Sequence, residues 1–382
     1  MEFTNIEYLK DEVVKYRRQL HEHPEIDNDV DYTREYILKH LIRCNFDRIE
    51  VIACGIKAVM VAKDPGYTFA FRADMDGLPI AEETKLSFAS KWEGYMHACG
   101  HDGHMAMLLG FARWLGDNKG HLKHNVVLIF QPAEETEGGA LNMIDGGVLE
   151  NPEVDAIFGF HIMPEIPQGS FGISPGTIMA QTCEFDIEIM GKSAHGAMPH
   201  KGVDAILATS FFISSLQSVT SRMIDPMHNA VITVGKLEAG DNRNILAEYA
   251  TIQGVIRTFS DADYKKIKDD IQSLLKGIDR GFKTVSSYKE VVYYPPVQND
   301  AYWTNTIKHM IDDHKVMEIT PIMIADDFSY YQQNVPGVYI FLGSNDQKMG
   351  YTMPLHSNKF DFDEKILMDG IKLCIKIACS GY

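Results

Sequence analysis

Two runs of apolar residues constrain this chain more than any other feature. NVVLIF (125–130) and AIFGF (156–160) contain no polar alternation. A strand that is apolar on both sides must be covered on both sides, as strands inside a parallel sheet are. A third strand is predicted over 68–73, ending in Asp74-Met75-Asp76-Gly77. Helices are predicted between and around these strands. Leu9, Val13, Tyr16 and Leu20 share one helical face that runs toward Pro24. The segment 104–115 is apolar nearly all round and reads as a buried helix, and a further helix is expected over 138–144. Strands alternating with helices imply an α/β fold with a doubly wound, mostly parallel sheet.

The middle of the chain changes character. EFDIEIM (184–190) alternates strictly, as a half-exposed strand does. It is followed by a helix over 204–222, strands over 230–237 and 247–258, a helix over 261–282 and a strand near Val291. This β-α-β-β-α-β order is the ferredoxin-like α+β arrangement. A helix over 303–314, a strand over 337–342 and a helix over 363–378 then rejoin the first sheet. The expected organisation is a catalytic, metal-binding domain built from 1–181 and 297–382, interrupted by an inserted lid or dimerisation domain at 182–296.

Composition narrows the function. The net charge of −17 over 382 residues repels phosphate backbones and anionic bilayers, so neither nucleic acid nor membrane is an expected partner. The first twelve residues lack the apolar stretch of a secretory signal, and the six cysteines are scattered, so a reducing cytoplasmic location is expected.

Polar clusters fall just beyond the predicted strands, where open parallel sheets keep their ligands. Asp74 and Asp76 close the first strand, Glu134 and Glu135 follow NVVLIF, and His161 follows AIFGF. HACGHDGH holds His97, Cys99, His101, Asp102 and His104 in eight residues. Its Cys-x-His core offers a thiolate and an imidazole to one or two cations, with Gly100 allowing a tight loop. His97 and His104 are read as supporting residues. His356, in a loop before the last helix, is a further ligand candidate. Of two adjacent glutamates, one can ligate a metal while its neighbour takes a proton from water.

Taken together, RRQLHEHPE, RADMDGLP, MHACGHDGH, FQPAEETEGGA, FGFH, GKSAHGAMPH, DNRNILAE and PLHSNKFDF resemble the amidohydrolase branch of the metal-dependent aminoacylase and carboxypeptidase family. That branch includes hippurate hydrolases, auxin–amino acid conjugate hydrolases and N-acetyldiaminopimelate deacetylases. The resemblance implies two divalent metal ions held by Cys99, His101, Glu135, His161 and His356. It implies Glu134 as general base, His195 reaching toward the scissile carbonyl, and Asn244 and Arg257 holding a substrate carboxylate. Asp76 matches a catalytic-site aspartate that in related enzymes supports a histidine ligand two positions earlier. Here that earlier position is Asp74, a departure shared by the branch.

The expected reaction is cleavage of the amide of an N-acyl-L-amino acid by metal-activated water, with N-acetyldiaminopimelate the leading substrate. Zinc or manganese suits the donors, and cobalt or nickel is admissible. A dipeptidase or carboxypeptidase is the alternative. A non-catalytic metal-binding protein would be favoured by an apolar residue at the base position, where Glu134 stands. A thiol enzyme built on Cys99 would need a dedicated histidine partner and no metal. A homodimer is expected because His195 lies in the inserted domain and the ligands do not.

Overall fold

The computed structural model describes residues 5–381. The chain divides into two compact units. The larger comprises the chain up to Gly176, Gln298–Thr320, and Asp327 onward, and the smaller comprises Thr177–Val297 with Pro321–Asp326. No helix among the described residues is long and apolar enough to cross a membrane.

The larger unit is built on an eight-stranded sheet. At its centre, in spatial order, lie Asn125–Gln131, Thr68–Asp74, Ala156–Pro167 and Gly337–Asn345, all parallel. The hairpin Arg48–Ile52/Gly55–Met60 adds antiparallel strands at one side. The register sets Asp74 opposite Gln131, so the carboxyl ends of neighbouring strands open on one edge. Chain order places the strand after Thr68–Asp74 on one side of it and the next on the other. This is the reversal point at which such sheets open a crevice.

The helix His101–Asn118 lies in the core and starts earlier than the periodicity predicts. Gly100, at φ 87°, turns the chain, and its carbonyl accepts from the N–H groups of Gly103 and His104. His101, Asp102 and His104 therefore stand on the first helical turn instead of in a loop. At Gly110 two other helices, Lys10–His21 and Ile366–Cys379, close in. A Cβ there would stand 2.6 Å from Val13 Cγ2 and from Ile371 Cδ1.

Other boundaries also shift. The strand beginning at Ala156 runs on to Pro167, so His161 lies within it, paired in register with Phe341. The helix expected over 303–314 spans only Ala301–Lys308, capped by Asp300, whose side chain accepts from Trp303 N–H at 2.9 Å. Asp312 and Asp313 fall where a continued helix would present its negative end, which acids oppose. A helix at Asp31–Leu41 and the hairpin before residue 61 have no counterpart in the sequence reading.

The smaller unit is a four-stranded antiparallel sheet in the order Val285–Tyr294, Gln181–Met190, Tyr249–Thr258, Ala230–Ala239. Alternate residues Cys183, Phe185, Ile187 and Ile189 pack with Phe212 and Leu216 of the helix Ala205–Ser218. Ile267, Ile271 and Leu275 of the helix Asp261–Phe282 complete this second core. The molecule is thus a mixed α/β fold with a large, mostly parallel sheet and a separate antiparallel-sheet domain.

Candidate metal centre

Strand ends and one helix start bring the donors together. Cys99 and His101 flank the Gly100 turn, His161 projects from its strand, and Glu134 and Glu135 follow Asn125–Gln131. Cys99 Sγ lies 3.4 Å from His161 Nε2. His101 Nε2 is 3.8 Å from Glu135 Oε1, which is 3.3 Å from His356 Nε2. Three overlapping triads share one neighbourhood, with donor atoms within 4.8 Å of one another: Cys99/His101/His161, Cys99/Glu135/His356 and His101/Glu134/Glu135.

Each buried ring is fixed in the form that offers a lone pair. His101 Nδ1–H donates to the Asp76 carbonyl at 2.8 Å, and His161 Nδ1–H donates to the Ile162 carbonyl at 2.8 Å. A carbonyl only accepts, so Nδ1 carries the proton and Nε2 faces the site. His356 adopts φ 61°, an uncommon conformation for a residue with a side chain, and its N–H is held by the Ala98 carbonyl at 2.9 Å.

Asp76 works behind the glutamates. Its Oδ1 accepts from Glu134 N–H at 3.1 Å and its Oδ2 from Glu135 N–H at 3.0 Å, with the side chain wholly buried. A carboxylate whose two oxygens carry those backbone amides positions the pair. Its Oδ1 also lies 3.6 Å from His101 Nδ1, so the carboxylate borders a ligand candidate as well as the glutamate loop. His104 likewise uses both nitrogens on protein partners, Asp74 Oδ1 at 2.6 Å and Ile162 N–H at 3.0 Å.

A model of peptidase family M20/M25/M40 matches residues 70–379. The chain belongs to this family. Over 95% of each chain it is 37% identical to an N-acetyldiaminopimelate deacetylase of Brevibacillus brevis. It is 36% identical to thermostable carboxypeptidase 1 of Saccharolobus solfataricus, across 96% of this chain and 94% of that one. A dinuclear metal binding peptidase of family M20 from Bacillus subtilis matches with a TM-score of 0.85 at 32% identity, covering 97% of this chain and 98% of the other. The M20/M25/M40 chain described here is a hydrolase.

The donors of this M20/M25/M40 chain fit divalent cations on the structure's own terms. His101 Nε2 is buried with no hydrogen-bond partner, which is costly unless something else occupies it. Burial opposes a charge on His101, yet Asp74, Asp76 and Glu135 outweigh it and push its pKa up to about 10. A site that draws a proton so strongly will also draw a metal ion. Burial, with His104 and His101 beside it, lowers His161 to about 3, which keeps the ring neutral. Burial, then Glu135, Glu134 and Asp74, push the Cys99 thiol well above its usual value. A nucleophilic thiol needs the opposite surroundings, so the thiol-enzyme reading loses its support.

The smaller unit joins some of the predicted residues and separates others. His195 and Ile245 form a bridge, and Gly196 N–H donates to the Asn244 carbonyl at 2.8 Å, so His195 and Asn244 sit on adjoining exposed loops. Arg257 lies near the far end of Tyr249–Thr258, opposite Thr182 and Val231. Eight residues of strand separate positions 249 and 257, a span of about 26 Å. Asn244 precedes this strand and Arg257 lies near its far end, so the strand holds them apart.

Arg17 and His21 were missed as site-supporting residues. Arg17 Nε donates to Asp102 Oδ2 at 3.1 Å, and His21 Nδ1 lies 2.8 Å from the same oxygen, directly behind His101. The motif RRQLHEHPE carried the signal, but only the fold shows what it touches.

Proposed function

We propose that this chain hydrolyses the amide of N-acyl-L-amino acids, with N-acetyldiaminopimelate the first candidate, at a centre holding two divalent metal ions. The observation that carries the reading is the convergence of Cys99, His101, Glu135, His161 and His356, with Glu134 fixed beside Glu135 by Asp76. Zinc or manganese suits this mixed thiolate, imidazole and carboxylate set. Such ions supply Lewis acidity to the scissile carbonyl and acidify water. Glu134 takes the proton of the attacking water and returns it to the leaving nitrogen. Asp76 holds the loop so that Glu134 and Glu135 keep distinct tasks. His195 donates to the developing oxyanion, and Arg257 and Asn244 each meet a substrate polar group. Because they lie at opposite ends of one strand, a homodimer is the assembly in which both reach substrate.

A panel of N-acetyldiaminopimelate, N-acetylcysteine, benzoyl amino acids and dipeptides, assayed with added manganese or zinc, tests the proposal. Turnover of N-acyl amino acids above dipeptides, lost when the carboxylate is amidated, is expected. A carboxypeptidase is the second reading, because the identity to the Saccharolobus enzyme, 36%, is within one percentage point of that to the deacetylase, 37%. Preference for dipeptides would establish it.

A further inference from the structure

A chain of buried polar groups runs behind the metal centre. Asp327 Oδ2 accepts from Ala140 N–H at 2.9 Å and from Gln131 Nε2 at 2.7 Å, and Asp327 Oδ1 accepts from Arg72 Nη2 at 2.7 Å. Arg72 also donates from Nε to Gln131 Oε1 at 3.0 Å and from Nη1 to Asp74 Oδ2 at 2.7 Å. Asp74 Oδ1 takes the Nδ1–H of His104 at 2.6 Å. With that proton placed, His104 Nε2 can only accept, and it receives Ile162 N–H at 3.0 Å. The carbonyl of the same Ile162 receives Nδ1–H of His161 at 2.8 Å. Arg72, Asp74, Gln131, His104 and Asp327 are each no more than 2% exposed.

Asp74, His101 and His104 could be mistaken for a further metal triad, since their donor atoms cluster. The hydrogen bonds exclude it. His104 has no lone pair left, since Nδ1–H donates to Asp74 and Nε2 accepts from Ile162 N–H, so the group cannot act as a triad of ligands. We infer that Asp74 and His104 are positioning residues for the ligand His161, acting through the backbone of Ile162, whose N–H and carbonyl they meet on successive peptide units, with Arg72 and Asp327 anchoring the line. The carboxylate selects the tautomer of His104, His104 holds the Ile162 N–H, and the Ile162 carbonyl, in the next peptide unit, meets Nδ1–H of His161 and fixes its ring and tautomer. This inference rests on the reading of His161 as a metal ligand. Groups that orient ligands in this way are worth about 10- to 100-fold in metal affinity.

The test is zinc affinity, measured by chelator competition on folded protein, together with the absorption spectrum of the cobalt-loaded form. His104→Leu is expected to weaken zinc binding about 10- to 100-fold and to shift the cobalt bands while the ion still binds. His104→Gln keeps an acceptor for Ile162 N–H and a donor for Asp74, and is expected to recover much of the affinity. Wild-type affinity in His104→Leu would overturn the inference. So would complete loss of one ion in both variants, which would make His104 itself a ligand. If His104→Leu does not fold, Asp74→Asn carries the test, since Arg72 keeps Asp327. A loss of about 3- to 10-fold is expected there, and unchanged affinity overturns the inference. A wild-type protein that binds no zinc would instead overturn the metal-centre reading.

Discussion

The two units carry their chemistry-bearing residues in opposite ways. In the larger unit, Cys99, His101, Glu134 and His161 are buried, and the far nitrogens of His101 and His161 are tied to backbone carbonyls, while His356 is half exposed. In the smaller unit, His195 and Asn244 lie exposed on loops joined only by main-chain pairing. Coordination tolerates little slack, so its donors are locked by surrounding structure. Residues that meet an arriving substrate need only be presented. On the proposed reading the difference separates a preorganised centre from a recognition surface, and it predicts unequal responses to mutation.

The largest effects belong to the locked side. His161→Ala is expected to lose bound metal and activity together, because ligands of a shared site act as a unit. Glu134→Gln should lower kcat about 10²- to 10⁴-fold while elemental analysis shows normal metal content. If Glu134→Gln lost metal as His161→Ala does, Glu134 would be a ligand and not the base. On the presented side, His195→Ala is expected to lower kcat about 10²- to 10³-fold, the worth of one oxyanion donor, with metal content and melting temperature unchanged. A destabilised His195→Ala protein would erase the distinction between the units.

That distinction also governs what could be read from sequence. The strands NVVLIF and AIFGF announce themselves because burial on both faces leaves no polar residue in them. The ligand residues follow from where those strands end. The hairpin Arg48–Ile52/Gly55–Met60 was illegible for a stated reason. Its turn residues Ala53 and Cys54 adopt φ 46° and 67°, a conformation that Asn-Gly usually signals and Ala-Cys does not. His101 and Asp102 read as loop because Gly100 hides the helix start. Arg72, Gln131 and Asp327 gave no signal at all, since 196 positions separate Gln131 from Asp327 and only the fold joins them. The separation of Asn244 from Arg257 was equally hidden. Motif order shows that both are present but not how far apart a strand holds them.

The smallest effect tests how the locked side stores charge. His21 is buried against Asp102 at 2.8 Å, one residue from His101. Burial opposes its charge, yet Asp102 and Glu82 outweigh burial and push its pKa up to about 9 from 6.5. A raised folded-state value means that the protonated form stabilises the fold. That contribution is fully present below about pH 6.5 and is lost as pH rises through about 9. The shift corresponds to about 3 kcal/mol. His21→Gln keeps a donor for Asp102 but removes the charge. Its melting temperature should therefore fall below wild type by several degrees at pH 6 and approach wild type by pH 10. Metal-free and metal-loaded protein should show the same convergence, because the charge acts on the fold behind the ligands. A gap that stays constant from pH 6 to 10 would mean that His21 is held neutral, and that Arg17 alone balances Asp102.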